Sequence, residues 1–280
     1  MRLLDAARIR EAMKDLFMRA GYEIGEDVES AIRDGIGQEP FPAARSALEQ
    51  IAENYEIARC ERVAICQDTG MAVVFAEVGQ DVHIEGDFAR AVDDGVRDAY
   101  RDGFLRKSVV DDPLFDRRNT GDNAPAVLHV TLVPGDRVRL IASPKGFGSE
   151  NMSRLYMLPP SAGVEGVVDA VVSAVVEAGP NPCPPVIVGV GIGGTMERAA
   201  LLAKRMTARP VGSRNADPRY AALEARILDE VNASGIGPAG IGGRLTALAV
   251  NIDHFPTHIA GLPVAINLCC HCARHAECTI

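Results

Sequence analysis

The sequence predicts a mixed α/β fold of the α+β kind. We expect one compact domain over residues 1–280, with several helices packed on a small sheet that is mostly antiparallel or mixed. Stretches with apolar residues at every third or fourth position alternate with short runs rich in Val, Ile and Leu. Hydrophobic residues make up 47% of the chain, enough for a substantial core. No repeat, low-complexity tract or linker-like stretch divides the chain, which favours a single domain.

Two helices are predicted near the start of the chain. Residues 3–20 carry apolar side chains at helical spacing, and Asp5 can cap the first turn. Residues 41–57 show the same spacing, with Pro42 near the start, where its fixed φ suits a first helical turn.

A strand, a helix and a long loop follow. Residues 71–78 form a short apolar run typical of a strand. Residues 87–100 place Val92 and Val96 on one helical face. Residues 111–125 are polar and rich in turn-forming residues, so we expect a loop.

A β-hairpin is predicted next. Residues 126–133 and 137–142 are rich in β-branched residues and flank the turn sequence Pro134-Gly135-Asp136. Two such runs around a short turn normally pair with each other.

The second half of the chain alternates helices and strands. Its segments are assigned by the same apolar spacing and by flanking Gly and Pro residues. The predicted helices are 164–178, 195–208 and 218–233, and the predicted strands are 185–190, 247–252 and 263–268.

Composition excludes several classes of protein. The net charge of −9 and the lack of a basic stripe oppose nucleic-acid binding. No apolar run reaches the length that spans a membrane, and the first residues lack a signal-peptide core, so we expect a cytoplasmic protein without membrane attachment. Seven cysteines in such a protein favour metal or redox chemistry over disulfides.

Three cysteines lie in unusual settings far apart in the chain. Cys66 is followed by Gln67, Asp68 and a Thr-Gly turn, Cys183 lies between prolines, and Cys270 belongs to a dense C-terminal group. Three separated thiolates can hold a [4Fe–4S] cluster and leave its fourth iron open as a Lewis acid. This arrangement favours hydro-lyase chemistry over electron transfer.

Other interpretations of the cysteines remain open at this point. Cys60 fits a helical core position. The group of Cys269, Cys270, His271 and Cys272 suggests zinc, although it lacks the C-x₂-C spacing of structural zinc sites. A cluster-based sensor or a zinc-stabilised scaffold protein are therefore the alternatives from a different functional class.

Three glycine-rich stretches can bind an anion through their backbone amides or can be plain turns. Residues 189–194 formally match G-x-G-x-x-G, the dinucleotide fingerprint, but no acidic residue follows a second strand at the expected distance. Residues 145–151 and 235–243 share the potential to bind a carboxylate.

Seven motifs together resemble the α subunit of the iron–sulfur hydro-lyases, the class I fumarases and L-tartrate dehydratase. The resemblance covers nearly the whole chain. The motifs are Cys66-Gln67-Asp68-Thr69-Gly70, Gly103-Phe104-Leu105-Arg106, Asn119-Thr120-Gly121-Asp122-Asn123, residues 145–151, Asn181-Pro182-Cys183-Pro184-Pro185, residues 189–195 and residues 257–267.

The resemblance implies a [4Fe–4S] cluster and a set of site residues. Its implied cluster ligands are Cys66, Cys183 and Cys270, the last chosen over Cys269 and Cys272 by the Asn-x-x-Cys-His ending typical of the family. Asp68 and His258 are the implied catalytic residues. The implied substrate-binding residues are Gln67, Arg106, Gly148 and His258. Phe147 stands where the family loop commonly has a glycine.

The resemblance also implies a partner. In one-chain relatives a second domain supplies further Arg and Lys residues and the base, whereas this chain ends before such a domain. We therefore expect a β subunit, an α2β2-like hetero-oligomer and a small dicarboxylate substrate. Fumarate hydratase is the expected activity, with L-tartrate dehydratase and mesaconate hydratase as the alternatives.

Overall fold

The computed structural model describes residues 1–280, which form two compact units. Unit 1 comprises Met1–Ile24, Tyr55–Phe147 and Arg274–Ile280, and unit 2 comprises Gly25–Asn54 and Gly148–Ala273. Each unit contains its own four-stranded sheet and its own apolar core.

Helices and strands alternate along the chain. The helices are α1 (Ala6–Tyr22), α2 (Glu26–Gln38), α3 (Pro42–Glu61), α4 (Phe88–Asp102), α5 (Phe147–Glu150), α6 (Gly163–Ala178), α7 (Met196–Met206) and α8 (Pro218–Ala233). The strands are β1 (Arg2–Asp5), β2 (Met71–Gly79), β3 (Val82–Glu85), β4 (Val127–Val133), β5 (Val138–Lys145), β6 (Arg154–Leu158), β7 (Val186–Gly193), β8 (Ala247–Phe255), β9 (Leu262–Cys269) and β10 (Ala276–Thr279). No helix is both long enough and apolar enough to cross a membrane.

The predicted mixed α/β class is confirmed, with the strands divided among three sheets. In unit 1, β1 pairs with β3, and a mixed four-stranded sheet has the order β10-β5-β2-β4. Its core joins β2 to the apolar faces of α1 and α4, including Phe17 and Val92, which are fully buried. Asp5 caps α1 as predicted, accepting from the amide of Ala7, but the helix begins only at Ala6 because the preceding residues form β1.

The predicted hairpin between β4 and β5 is wrong. Both strands form, but β2 lies between them, parallel to β4 and antiparallel to β5. The end of β2 inserts at the turn, where Gly79 donates to the carbonyl of Arg137 and Asp81 donates to that of Gly135. The turn sequence is therefore present, while the pairing is decided by a strand from earlier in the chain.

Unit 2 contains a mixed sheet of order β6-β9-β7-β8, covered by α6, α7 and α8. β7 extends to Gly193, beyond the predicted end at Val190. Two glycines of the fingerprint-like stretch lie inside this strand and allow α7 to approach. A Cβ on Gly189 would lie 2.1 Å from the carbonyl oxygen of Ala203, and one on Gly191 equally close to that of Ala199. These glycines thus serve helix–strand packing.

Candidate functional site

The first candidate ligand, Cys66, lies in the loop between α3 and β2 of unit 1. Its side chain is half-buried, and its Sγ accepts a hydrogen bond from the backbone amide of Asp68 at 3.4 Å. Amide donors of this kind stabilise negative charge on a thiolate sulfur and tune sulfur-ligated clusters. The local backbone therefore places a hydrogen-bond donor at this sulfur.

Buried side chains grip the backbone of this loop. The Tyr100 hydroxyl donates to the carbonyls of Thr69 at 2.6 Å and Gly70 at 3.1 Å, and the Asn123 amide donates to Gly70 at 3.1 Å. Burial raises the pKa of Tyr100 far above its ordinary value, so the hydroxyl remains a donor. The Thr69 hydroxyl donates to the carbonyl of Arg106 at 2.6 Å, which joins this loop to the segment after α4.

Both carboxylate oxygens of Asp68 accept backbone hydrogen bonds. Oδ1 accepts from the amide of Gly70 at 3.0 Å, and Oδ2 accepts from the amide of Phe147 at 2.8 Å. The second bond connects the loop that carries Cys66 to the glycine-rich stretch at residues 145–151. Gly70 has φ of +77°, and a Cβ there would lie 2.8 Å from the backbone nitrogen of Lys145, so this position requires glycine.

Gln67 and Arg106 differ from their neighbours because their side chains are exposed. Arg106 takes part in no ion pair, although its carbonyl is fixed by Thr69. An anchored backbone with an uncommitted guanidinium suits a residue that binds an anionic ligand.

A pocket of about 400 Å³ adjoins Asp68 in unit 1. Its wall includes Ser108, Arg117 and the ring of Phe147. Phe147 therefore lines this pocket directly.

The second candidate ligand, Cys183, lies in the loop between α6 and β7 of unit 2 and is exposed. Its φ is +54°, a left-handed conformation that is uncommon for a residue with a side chain. The amide of Cys183 donates to the carbonyl of Pro180 at 3.0 Å, and the carbonyl of Pro184 accepts from Ala239 at 2.8 Å. The loop is thus fixed on both sides of the sulfur.

The third candidate, Cys270, follows the last residue of β9. It is half-exposed, whereas its neighbours Cys269 and Cys272 are buried. The next amide, that of His271, donates to the carbonyl of Cys183 at 3.3 Å, so the two candidate ligand loops of unit 2 meet. No set of three or more His, Cys, Asp or Glu side chains is arranged to hold a single metal ion.

Gly148 lies at the same edge of the unit 2 sheet as Cys183 and Cys270. It is exposed in α5, and a Cβ there would lie 3.8 Å from the carbonyl oxygen of Asn181 in the Cys183 loop. In the same helix, Glu150 accepts from the side-chain amide of Asn267 at 3.0 Å and forms an ion pair with Lys204. A hydrogen bond therefore connects this helix to β9, and an ion pair connects it to α7.

His258 lies at the opposite edge of that sheet. Its loop joins β8 to β9 and is held by Thr257, whose hydroxyl donates to the carbonyl of Gly194 just beyond the end of β7. β7 begins after Cys183, and β9 ends just before Cys270. The length of β9, about 23 Å at the usual rise per residue, therefore separates the His258 edge from the Cys270 edge.

The two histidines of this loop region have different surroundings. The ring of His254 stacks on Tyr220, with centroids 4.2 Å apart. His258 is exposed, and its Nδ1 accepts from the amide of Ala260 at 3.2 Å. That bond requires an unprotonated Nδ1, so Nε2 carries the hydrogen of the neutral ring.

The structure brings together some of the predicted site residues. In unit 1, the Cys66 loop is joined to Arg106, and in unit 2 Cys183, Cys270 and Gly148 share one edge, from which His258 is separated. Sequence reasoning missed the residues that hold the cysteine loop. These are Thr69, Tyr100, Asn123 and Arg274. Only Thr69 and Asn123 lie within motifs that had been singled out.

Comparison with protein families gives one match over almost the whole chain. The model described as fumarate hydratase (fumerase) matches residues 10–279.

Individual relatives cover most of the chain as well. A protein of Methanocaldococcus jannaschii named "Putative L(+)-tartrate dehydratase subunit alpha" is 38% identical over 275 residues, which is 96% of each chain. The L(+)-tartrate dehydratase subunit alpha of Escherichia coli strain UTI89 is 34% identical over 224 residues, covering 76% of this chain and 73% of that protein. The protein of the same name from Shigella boydii shows the same identity and coverage.

Proposed function

The chain belongs to the fumarate hydratase (fumerase) family, and from this premise we propose that it is the cluster-bearing subunit of a hydro-lyase that interconverts fumarate and L-malate. The family match over residues 10–279 carries the proposal, because it includes every residue to which we assign a role. The chemistry adds water across the double bond of fumarate, or removes the 2-hydroxyl and a C3 proton from malate.

The cysteines have the properties expected of ligands to a [4Fe–4S] cluster. Cys66 accepts an amide hydrogen bond at its sulfur, and Cys183 and Cys270 lie at the same edge of one sheet in loops fixed by backbone hydrogen bonds. We propose these three as the ligands. A cluster held by these three thiolates would supply an iron without a protein ligand, which would serve as a Lewis acid.

The remaining residues bind and orient the substrate. Arg106 binds a substrate carboxylate, for which its exposed guanidinium and anchored backbone are suited. Gln67 donates from an exposed side chain, and Gly148 leaves room for the substrate beside its backbone. Asp68 contributes to catalysis by orienting this loop, because both of its carboxylate oxygens are occupied by backbone amides.

A partner chain completes the site. The relatives are named alpha subunits, which supports a β subunit as the partner. In this proposal the partner carries the base and further cationic residues. The separation of His258 from Cys183 and Cys270 supports an α2β2 assembly in which His258 serves the site of a second α chain. Within this assembly, residues 1–280 act as one catalytic domain. We also propose the cytoplasm as the compartment, as expected from the sequence.

Dehydration of L-tartrate to oxaloacetate is the second candidate. The names of the relatives, including the one that is 38% identical over 96% of the chain, favour it. The steps are the same, with one more hydroxyl on the substrate to accommodate. The pocket beside Asp68, with Ser108 and Arg117 in its wall, is large enough for either molecule.

The test is anaerobic co-expression with the β subunit and assay on fumarate, L-malate, both tartrates and mesaconate. We expect turnover of fumarate and malate, and loss of that activity in Cys66→Ser and Arg106→Ala enzymes. Cys60, expected in a helical core, is instead exposed on α3, so Cys60→Ser is the matched control and should keep full activity. A sensor or a scaffold protein would turn over none of these substrates. Full activity after both site substitutions would contradict the assignment.

A further inference from the structure

A buried arginine lies against the backbone of the candidate cysteine loop. Arg274 is only 3% exposed, and its Nη2 donates to the backbone carbonyl of Asp68. Arginine is rarely so buried, because desolvating a guanidinium is costly unless its hydrogen bonds are well placed. Its position beside a loop with a candidate ligand therefore suggests a specific task.

Three consecutive carbonyls of that loop are held by buried side chains. Arg274 binds the carbonyl of Asp68, Tyr100 binds those of Thr69 and Gly70, and Asn123 also binds that of Gly70. Tyr100 and Asn123 are fully buried and Arg274 is nearly so, so all three donors reach the loop from the interior of unit 1. The loop is therefore held in place by hydrogen bonds to its backbone carbonyl groups.

Asp68 is the residue where these contacts converge. Its amide donates to Sγ of Cys66, its two carboxylate oxygens accept from Gly70 and Phe147, and its carbonyl accepts from Arg274. Every polar group of this residue is engaged. A shift of its peptide plane would change the direction of the amide bond to the Cys66 sulfur.

We infer that Arg274 is a positioning residue that fixes the peptide of Asp68. Through this peptide it also fixes the sulfur of Cys66 and the glycine-rich stretch at residues 145–151. The inference rests on the proposed function for the meaning of Cys66, but the hydrogen bonds of Asp68 from which it is argued lie within unit 1. Arginine suits this task because it offers several fixed donors and keeps its charge when buried.

The test measures the reactivity of Cys66 in the full-length, metal-free chain under anaerobic conditions. Arg274→Met removes the donors, Arg274→Lys restores one, and Arg209→Met is the matched control. Arg209 is a largely buried arginine of unit 2 whose guanidinium pairs with Glu224 at 2.8 Å. The rate of alkylation of each cysteine is followed by peptide mass spectrometry.

We expect Arg274→Met to raise the alkylation rate of Cys66 at least about tenfold, because release of the loop exposes its half-buried sulfur, and to leave the rate of Cys60 unchanged. The alkylation rate of Cys66 in Arg274→Lys should lie between those of the wild type and Arg274→Met. In Arg209→Met this rate should equal that of the wild type. In the assembled enzyme, the cluster should lose iron to a chelator faster in Arg274→Met. An unchanged Cys66 rate, or parallel increases at Cys60 and Cys66, would overturn the inference.

The outcome is separable from that of the proposed function. If the assembled enzyme holds no cluster, the proposed function fails while the alkylation pattern still decides the role of Arg274. If the cluster forms and Cys66 reacts equally in all variants, only the inference about Arg274 fails.

Discussion

The carbonyl oxygen of Cys183 accepts a hydrogen bond from the backbone amide of His271 over 3.3 Å. This bond ties the loop of one candidate ligand to the segment that carries Cys270. Cys183 itself has φ of +54°, a conformation that costs an L-residue about 1–2 kcal/mol. Strain of this kind is common at functional sites, which supports the proposal that Cys183 is retained for its sulfur.

Two substitutions of Cys183 should differ in their effect on stability and agree in abolishing cluster binding. Cys183→Gly relieves the left-handed strain, whereas Cys183→Ala retains it, so we expect the Gly variant of the metal-free chain to be more stable than the Ala variant by about 1 kcal/mol. Both variants should fail to bind a cluster. Denaturant unfolding gives the first quantity, and iron and sulfide content after anaerobic reconstitution gives the second. Equal stabilities would contradict the strain argument.

The three neighbouring C-terminal cysteines should respond differently to substitution. Cys270 is half-exposed, while Cys269 and Cys272 are buried. We expect Cys270→Ser to abolish cluster binding, because a serine hydroxyl is a poor replacement for a thiolate. Cys269→Ser and Cys272→Ser should keep the cluster but lower the free energy of unfolding by about 1–3 kcal/mol through burial of a hydroxyl. Cluster loss in Cys272→Ser with retention in Cys270→Ser would reverse the assignment.

Much of the fold follows from local patterns, whereas the pairing of its strands does not. The spacing of apolar residues locates α8 at Pro218–Ala233 and β2 at Met71–Gly79, close to prediction. The pairing of β4 with β5 failed because β2 inserts between them, and a turn sequence carries no information about a strand from elsewhere in the chain.

Some residues of the candidate site could also be identified from local sequence, and others could not. The cysteine loops could be identified because Cys66, Cys183 and Cys270 each stand beside unusual residues. Tyr100 and Arg274 hold the Cys66 loop from 30 or more positions away, and a buried tyrosine or arginine has no local pattern that marks its partner. Long-range hydrogen bonds to backbone carbonyls become visible only in three dimensions.

Arg106 should affect substrate binding without affecting the fold. Its guanidinium is exposed and makes no ion pair within the chain, so Arg106→Met should leave the unfolding temperature unchanged. Loss of a charged contact to a substrate carboxylate should lower kcat/KM about 100-fold. Arg106→Lys keeps the charge without the bidentate geometry and should fall between the two. Steady-state assays of the assembled enzyme measure this, and an unchanged kcat/KM in Arg106→Met would remove Arg106 from the site.

The ion pair between Arg10 and Asp98 should make unit 1 sensitive to acid. The two side chains lie 2.7 Å apart and connect α1 to α4, and the hydrogen bond from Arg10 lowers the pKa of Asp98 below its ordinary value. A lowered folded-state pKa stabilises the protein above the unfolded value of about 3.9, and this contribution is lost as the pH falls through the folded value.

Asp98→Asn should therefore lower the free energy of unfolding near neutral pH. Below the folded-state pKa of Asp98, the substitution should change this free energy little. Unfolding of the metal-free chain across this pH range measures the difference between the two proteins. Glu53→Gln, at an exposed carboxylate of α3, is the control and should match the wild type throughout. A stability difference for Asp98→Asn that does not change with pH would contradict the electrostatic explanation.

His258 should act on the site of a second α chain. β9 separates its loop from Cys270, so no single chain brings the two together at that sheet. Cys270→Ser leaves a chain with an intact histidine, and His258→Asn leaves one with intact cysteines. Asparagine also keeps an acceptor near the position of Nδ1, which receives the amide of Ala260. Each variant alone should have little activity.

Co-expression of these two chains with the β subunit should restore activity. Random pairing in an α2β2 assembly makes half of the enzymes mixed, and each mixed enzyme has one complete site of two, which gives about a quarter of the wild-type activity. Cys183→Ser mixed with Cys270→Ser is the matched control, because both defects remove ligands from the same edge of the sheet and no pairing repairs them. If His258 served its own chain, the first mixture would be as inactive as the control, and the exchange between α chains would be excluded.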